Sequence, residues 1–260
     1  MSTPWLDLAQ PGVRERIGHA VRAFRGWNRC FGIGANKTGT TSLHAVAVLL
    51  GLRADQALVE GTASLQAMRG NYRPLQEAMA QLDFHQDLPC SQGHTYVALD
   101  ALFPGSRFIL TIREPQAWLR SFVTHYSRDL APSGSPGGRS EPWLFPGYVE
   151  LWLRHYASQE PELASLAAVS GPLRPQHLAD PAVQAGLLRA YERRNATIQA
   201  YFRLRPADLL VLDLAQEPDV AAIVRFLGLP PWINFPMPHL NAAGGGQRPV
   251  SGLPPLQLEP

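Results

Sequence analysis

The 260-residue sequence is poor in cysteine, with only Cys30 and Cys90. Two isolated thiols make neither a disulfide framework nor a zinc-ligand spacing, and they suit a reducing compartment. The net charge is only +2, too small for a bulk binder of nucleic acid. With 45% apolar residues, the chain is not of disordered composition either. No run approaches the length of a membrane span. Residues 1–7 mix acidic and polar side chains without the apolar core of a secretory signal. No internal repeat is visible. These absences lead us to expect a soluble, cytoplasmic protein with one domain over residues 1–260 and a core over about 28–230. Proline and glycine, in contrast, are plentiful at 24 and 22 residues. They cluster at 131–147 and at 242–260, which read as a long loop and a mobile tail.

The chain is organised around Cys30-Phe31-Gly32-Ile33-Gly34-Ala35-Asn36-Lys37-Thr38-Gly39-Thr40-Thr41-Ser42-Leu43. It begins as a buried strand over 30–34, passes through a small-residue loop carrying Lys37, and enters a helical pattern of apolar residues. A strand, a tight loop and a helix N-terminus in this order form an anion site, because the first helical turn has free N–H groups and partial positive charge. Gly34 and Gly39 permit close backbone approach. Thr38, Thr40, Thr41 and Ser42 add hydroxyls. The order departs from the usual phosphate loop, in which the lysine follows the last glycine and a Ser or Thr then holds magnesium. Here Lys37 precedes Gly39, so the loop is read as handling an anion without a metal.

A second stretch, Arg107-Phe108-Ile109-Leu110-Thr111-Ile112-Arg113-Glu114-Pro115, reads as a buried strand ending in Arg113, followed by a helix opened by Pro115. Ser121 lies on that helix. Arg113 alone fits a surface ion pair as well as a phosphate ligand. A guanidinium fork suits phosphate oxygens.

Lys37-Thr38-Gly39-Thr40-Thr41-Ser42 resembles the 5′-phosphosulfate loop of sulfotransferases, and Arg113 with Ser121 resembles that family's 3′-phosphate ligands in type and spacing. The resemblance covers mainly residues 30–121, with weaker support to 229. It implies a P-loop NTPase-like sulfotransferase fold of the α/β class, with three α/β/α layers around a parallel sheet. It also implies PAPS (3′-phosphoadenosine 5′-phosphosulfate) as donor, PAP as product, no metal, and a small-molecule or glycan acceptor bearing a hydroxyl or amine. Lys37, Thr38, Gly39, Thr40, Thr41, Ser42, Arg113 and Ser121 would hold the donor. Arg248, in a glycine-rich segment, is a further donor-side candidate.

Asp83-Phe84-His85-Gln86-Asp87-Leu88-Pro89 reads as a short strand over 84–86 stopped by Pro89. Cytosolic sulfotransferases carry His-Leu-Pro at this place, the histidine being the general base, so the resemblance puts Asp87 in that role. His85 is two residues away on the expected strand face and competes for it. A cap on the following helix is the bland alternative for Asp87. The longest helix is expected over 181–204. Its Tyr191, Arg193, Arg194 and Asn195 are candidates for the adenine or 3′-phosphate side, against an ordinary solvated face for the arginines. Two rival functions stay open: a small-molecule kinase, for which Asp213 is a loose magnesium candidate, and a PAP or PAPS binder without catalysis.

Overall fold

The computed structural model describes residues 5–10, 12–54, 62–131, 147–238 and 240. Four strands form its sheet: β1 (Cys30–Gly32), β2 (Phe84–Gln86), β3 (Arg107–Thr111) and β4 (Leu209–Leu212). All pairings are parallel, in the order β2-β1-β3-β4. The helices are α1 (Val13–Phe24), α2 (Thr40–Leu49), α3 (Thr62–Met68), α4 (Arg73–Met79), α5 (Thr95–Leu102), α6 (Pro115–Asp129), α7 (Tyr148–Gln159), α8 (Ala164–Ala167), α9 (Pro175–Ala179), α10 (Pro181–Tyr201) and α11 (Ala221–Phe226).

Alternation along the strands sorts the core into two faces. Cys30, Ile109 and Leu212 point into one cluster with Ile17 of α1, Leu43 and Val46 of α2, and Ile223 of α11. Phe31, Phe108 and Leu110 point into the other with Met79 of α4, Leu99 of α5, and Ile198 of α10. Helices therefore cover both faces of an all-parallel sheet, which is the expected three-layer α/β architecture. A third cluster gathers Trp118, Phe122 and Tyr126 of α6 with Trp152 of α7 and Leu187 and Tyr191 of α10, and it reaches back to Ala35 and Leu88.

This topology locates the site. From β1 the chain goes to β2 on one side, and β3 then pairs on the other side of β1. The connections part above the carboxyl ends of β1 and β3, where open parallel sheets form a ligand crevice. The turns after β1, β2 and β3 all open there.

Several boundaries differ from the sequence reading for physical reasons. β1 ends at Gly32 rather than at 34, although the Ile33 N–H still donates to the Ile109 carbonyl at 2.8 Å. The final helix, expected over 217–227, begins only at Ala221. The Asp219 carboxylate accepts the Ala221 N–H at 3.0 Å, and the Val220 N–H goes to the Phe235 carbonyl at 3.1 Å, so the preceding residues belong to a loop. Nearly all of the 131–147 loop and all of the 242–260 tail, including Arg248, lie outside the described residues.

Candidate functional site

Close backbone packing shapes the loop after β1. A Cβ on Gly34 would sit 1.9 Å from Thr111 Oγ1 and 2.5 Å from the Thr111 carbonyl oxygen, so only glycine lets the loop cross the end of β3. Thr38 Oγ1 lies 2.6 Å from the Ala35 carbonyl and 2.6 Å from Thr111 Oγ1, which ties the loop to that strand. Gly39 is the N-cap of α2 with φ 98°, a left-handed conformation, and no side chain caps this helix. The N–H groups of a first helical turn have no intrahelical acceptor, which makes the start of α2 a place for an anion. Lys37 precedes the helix with φ 72°, so its ammonium belongs to the loop, as its place before Gly39 suggested.

The sequence holds a further signal at this position. Lys37 is the chain's only lysine, and every other one of the 23 basic Lys and Arg positions is arginine. A compact ammonium point charge, rather than a planar guanidinium fork, stands at this one place.

The four hydroxyls divide their work. Thr38 is buried and braces the loop. Thr40 Oγ1 donates to Asp87 Oδ2 at 3.3 Å. Ser42 is buried, and its Oγ accepts the Leu240 N–H at 3.0 Å, which draws the segment after α11 to the start of α2. Thr41 is the exposed one.

The turn after β2 brings Asp87 to this loop. Asp87 is half-buried with φ 66°. Asn36 Nδ2 donates to its Oδ1, and Thr40 to its Oδ2. Burial pushes the Asp87 carboxyl above the ordinary carboxylate range, against the nearby Lys37 charge, the Asn36 and Thr40 hydrogen bonds and a backbone bond from Leu88. Lys37 and Asp87 are the only non-glycine residues with positive φ among the described residues. Such a backbone costs about 1–3 kcal/mol and persists where surrounding contacts enforce it.

His85 does not share this arrangement. It is 2% exposed, and its Nε2 lies 2.9 Å from the Leu88 carbonyl oxygen. The expected common face of His85 and Asp87 is lost because β2 stops at Gln86 and the backbone turns left-handed at Asp87. Besides a local backbone bond from Leu88, the Asp87 carboxylate engages Asn36 and Thr40 of the anion loop and α2, which a plain helix cap does not do.

Arg113 follows β3. Its Nη1 reaches the Lys37 carbonyl at 3.4 Å, so the two loops touch. The Tyr191 hydroxyl grips its backbone, accepting from the Arg113 N–H at 2.9 Å and donating to the Arg113 carbonyl at 3.0 Å. Ser121 is half-buried on α6. The other arginines near Tyr191 have structural partners. Arg193 pairs with Glu160 and, at 3.0 Å, with Glu162. Arg194 is only 7% exposed and donates to the carbonyls of Ile33, Cys90 and Gly93 at 2.9, 3.2 and 3.3 Å, stapling the end of β1 to the turn after β2. Burial brings its pKa down to about 10. The solvated face expected for Arg194 is thus overturned: the sequence reading missed a buried clamp. Asn195 is half-buried on the same helix. The Asp213 carboxylate accepts the Ala215 N–H at 3.0 Å and caps a turn.

A parallel α/β sheet that brings a helix N-terminus, a loop ammonium, a carboxylate and a strand-end guanidinium to one crevice has the parts of an anion-binding site. A profile of the sulfotransferase domain family matches residues 29–245, most of the chain. The protein belongs to that family and is a transferase of the sulfotransferase class. No curated protein matches the chain. Among the described residues no helix is long and apolar enough to cross a membrane.

Proposed function

We propose that this sulfotransferase moves a sulfuryl group from PAPS to a hydroxyl or amine of a small-molecule or glycan acceptor, in line, without a metal and with PAP leaving. The observation that carries the reading is the meeting of Lys37 and Asp87 beside the uncapped start of α2, with Arg113 joined to the same loop. The donor set fits such a co-substrate. The amides that open α2 suit the 5′-phosphosulfate, and a guanidinium suits the second phosphate, which ATP lacks at the 3′ position.

Each residue then has one task. The amides of Gly39, Thr40 and Thr41, with the Thr41 hydroxyl, hold the 5′-phosphate side. Thr38 and Ser42 act from behind by fixing the loop. Arg113 and Ser121 anchor the 3′-phosphate. Lys37 meets the charge that grows on the leaving phosphate oxygen as the old S–O bond breaks. Asp87 takes the acceptor proton as the new bond to sulfur forms. Charge stabilisation by fixed donors and proton removal by a placed base are the main contributions expected of such a site. His85 orders the turn through Leu88 and is not the base.

The test is transfer of radiolabelled sulfate from PAPS to a panel of phenols, alcohols, amines and oligosaccharides, with PAP release followed in parallel. Labelled product that survives chelation of divalent metals and is lost in Lys37→Ala supports the reading. PAP binding without turnover on any acceptor would place the chain with non-catalytic binders.

A further inference from the structure

Asn36 lies in the anion loop, yet its side chain faces across to the turn after β2. It is 8% exposed, and its Nδ2 donates to Asp87 Oδ1. Its own carbonyl accepts the Trp118 Nε1–H at 2.9 Å. The Trp118 ring stacks on Tyr191, with centroids 4.2 Å apart and planes within 10°. The Tyr191 hydroxyl in turn holds the backbone of Arg113 on both its N–H and carbonyl. A continuous set of contacts thus runs from the Asp87 carboxylate to the backbone of Arg113.

The two Asp87 oxygens are held unequally. Oδ1 takes the amide of Asn36, whereas the side-chain bond to Oδ2 is the longer one, 3.3 Å from Thr40. A base needs one oxygen with a lone pair to offer and a plane that does not swing. The geometry points to Asn36 as the positioning residue that locks the Asp87 carboxylate, leaving Oδ2 to accept the acceptor proton, with Trp118 holding Asn36 in place. This rests on the reading of Asp87 as the base. Asn36 never touches the reacting atoms; it acts through Asp87.

The charged and titratable groups facing Asp87 are Lys37 from the anion loop and Cys90 from its own segment. The Asn36 hydrogen bond favours the ionised carboxyl and opposes the upward push of burial. Its loss therefore moves the Asp87 titration to higher pH. A side chain that merely filled space would act in the other direction: removing it would admit water and bring the carboxyl back towards the ordinary range.

The experiment uses the full chain labelled with carbon-13 at aspartate Cγ, with the Asp87 signal assigned by its disappearance in Asp87→Asn. The signal is titrated with pH in wild type and in Asn36→Leu, which keeps nearly the same shape without the donor. The expected result is a midpoint displaced to higher pH. An unchanged midpoint, or one displaced to lower pH, overturns the proposal. Trp118→Phe removes the N–H that holds Asn36 and serves where Asn36→Leu does not fold; it should displace the midpoint in the same direction by less, and no displacement counts against the proposal. Calorimetric titration of wild type with PAP runs alongside. Absence of PAP binding would sink the donor reading while leaving the Asn36 result to stand or fall by itself.

Discussion

Two helices start side by side above the sheet, and their first turns are built in opposite ways. α2 follows β1 with Gly39, which has no side chain to cap with, at its N-cap. α6 follows β3, and there the Glu114 carboxylate accepts the Gln116 and Ala117 N–H groups at 2.8 and 2.6 Å. These two bonds hold the Glu114 carboxyl below its usual range. A capped helix start has spent its donors and carries a negative charge, so it repels an anion; an uncapped one attracts it. At the α6 end positive charge comes from side chains, Arg113 and Arg120, and not from the helix amides. On the proposed reading, neighbouring strand ends of one sheet divide a ligand with two anionic groups between backbone amides at one end and a guanidinium at the other.

The largest effects should come from the α2 side. Asp87→Asn should lower turnover by roughly 10²–10⁴-fold, the range for a general base. It should also raise the melting temperature at pH 7. The folded-state pKa of Asp87 lies above its unfolded value, so its contribution is favourable below the unfolded pKa and is lost as pH rises through the folded pKa. A neutral isostere escapes that loss, and the gain should vanish below about pH 4. Wild-type turnover should fall on the acid side, as Asp87 becomes protonated. A melting curve indifferent to the substitution at all pH values would contradict the burial argument.

Lys37→Ala should cost on the order of 10²–10³ in kcat, by analogy with the loss of one oxyanion donor. Because Lys37 is the only lysine, an amine-reactive acyl ester offers a sharper variant. Peptide mass mapping should show Lys37 acylated in the free protein and protected by saturating PAP. Equal labelling with and without PAP would separate Lys37 from the ligand.

On the α6 side the expected effects are smaller. Tyr191→Phe removes the hydroxyl that holds the Arg113 backbone and should weaken PAP binding by roughly 3–10-fold, the worth of a hydrogen bond of about 1 kcal/mol. Its effect on kcat at saturating donor should be slight. Glu114→Ala should be smaller still, lowering the melting temperature modestly without weakening PAP binding. A large loss of PAP affinity in Glu114→Ala would erase the distinction between the two helix starts.

Much of this was legible in the sequence because it is local. The apolar run at Phe108–Leu110, the glycines at 34 and 39 and the proline at 115 each determine their surroundings within a few residues. Lys37 stands out in the loop after the first strand, Arg113 at a strand end and Asp87 through the Asp-Leu-Pro resemblance, and the topology brings the turns after β1, β2 and β3 to one crevice. What was hidden depends on long-range contacts. Nothing near Arg194 in sequence reveals three carbonyls at Ile33, Cys90 and Gly93. Asn36 has no role legible in the sequence, because only the fold brings the Asp87 carboxylate to it. The common face read for His85 and Asp87 carries period-two alternation one residue past the end of β2, where the backbone turns left-handed. The scarcity of lysine was the one signal available from composition that the motif reading passed over.

The most direct test of the central claim is a thermal-shift comparison of PAP with ATP and magnesium, in wild type and Arg113→Ala. A ligand at 100 times its Kd adds about 2.7 kcal/mol, which for a chain of this size means a shift of roughly 5–10 °C. The account predicts that shift with PAP in wild type, little with ATP and magnesium, and its loss in Arg113→Ala. A shift with ATP and magnesium but none with PAP would contradict it, and would remove the roles given to Arg113 and Ser121.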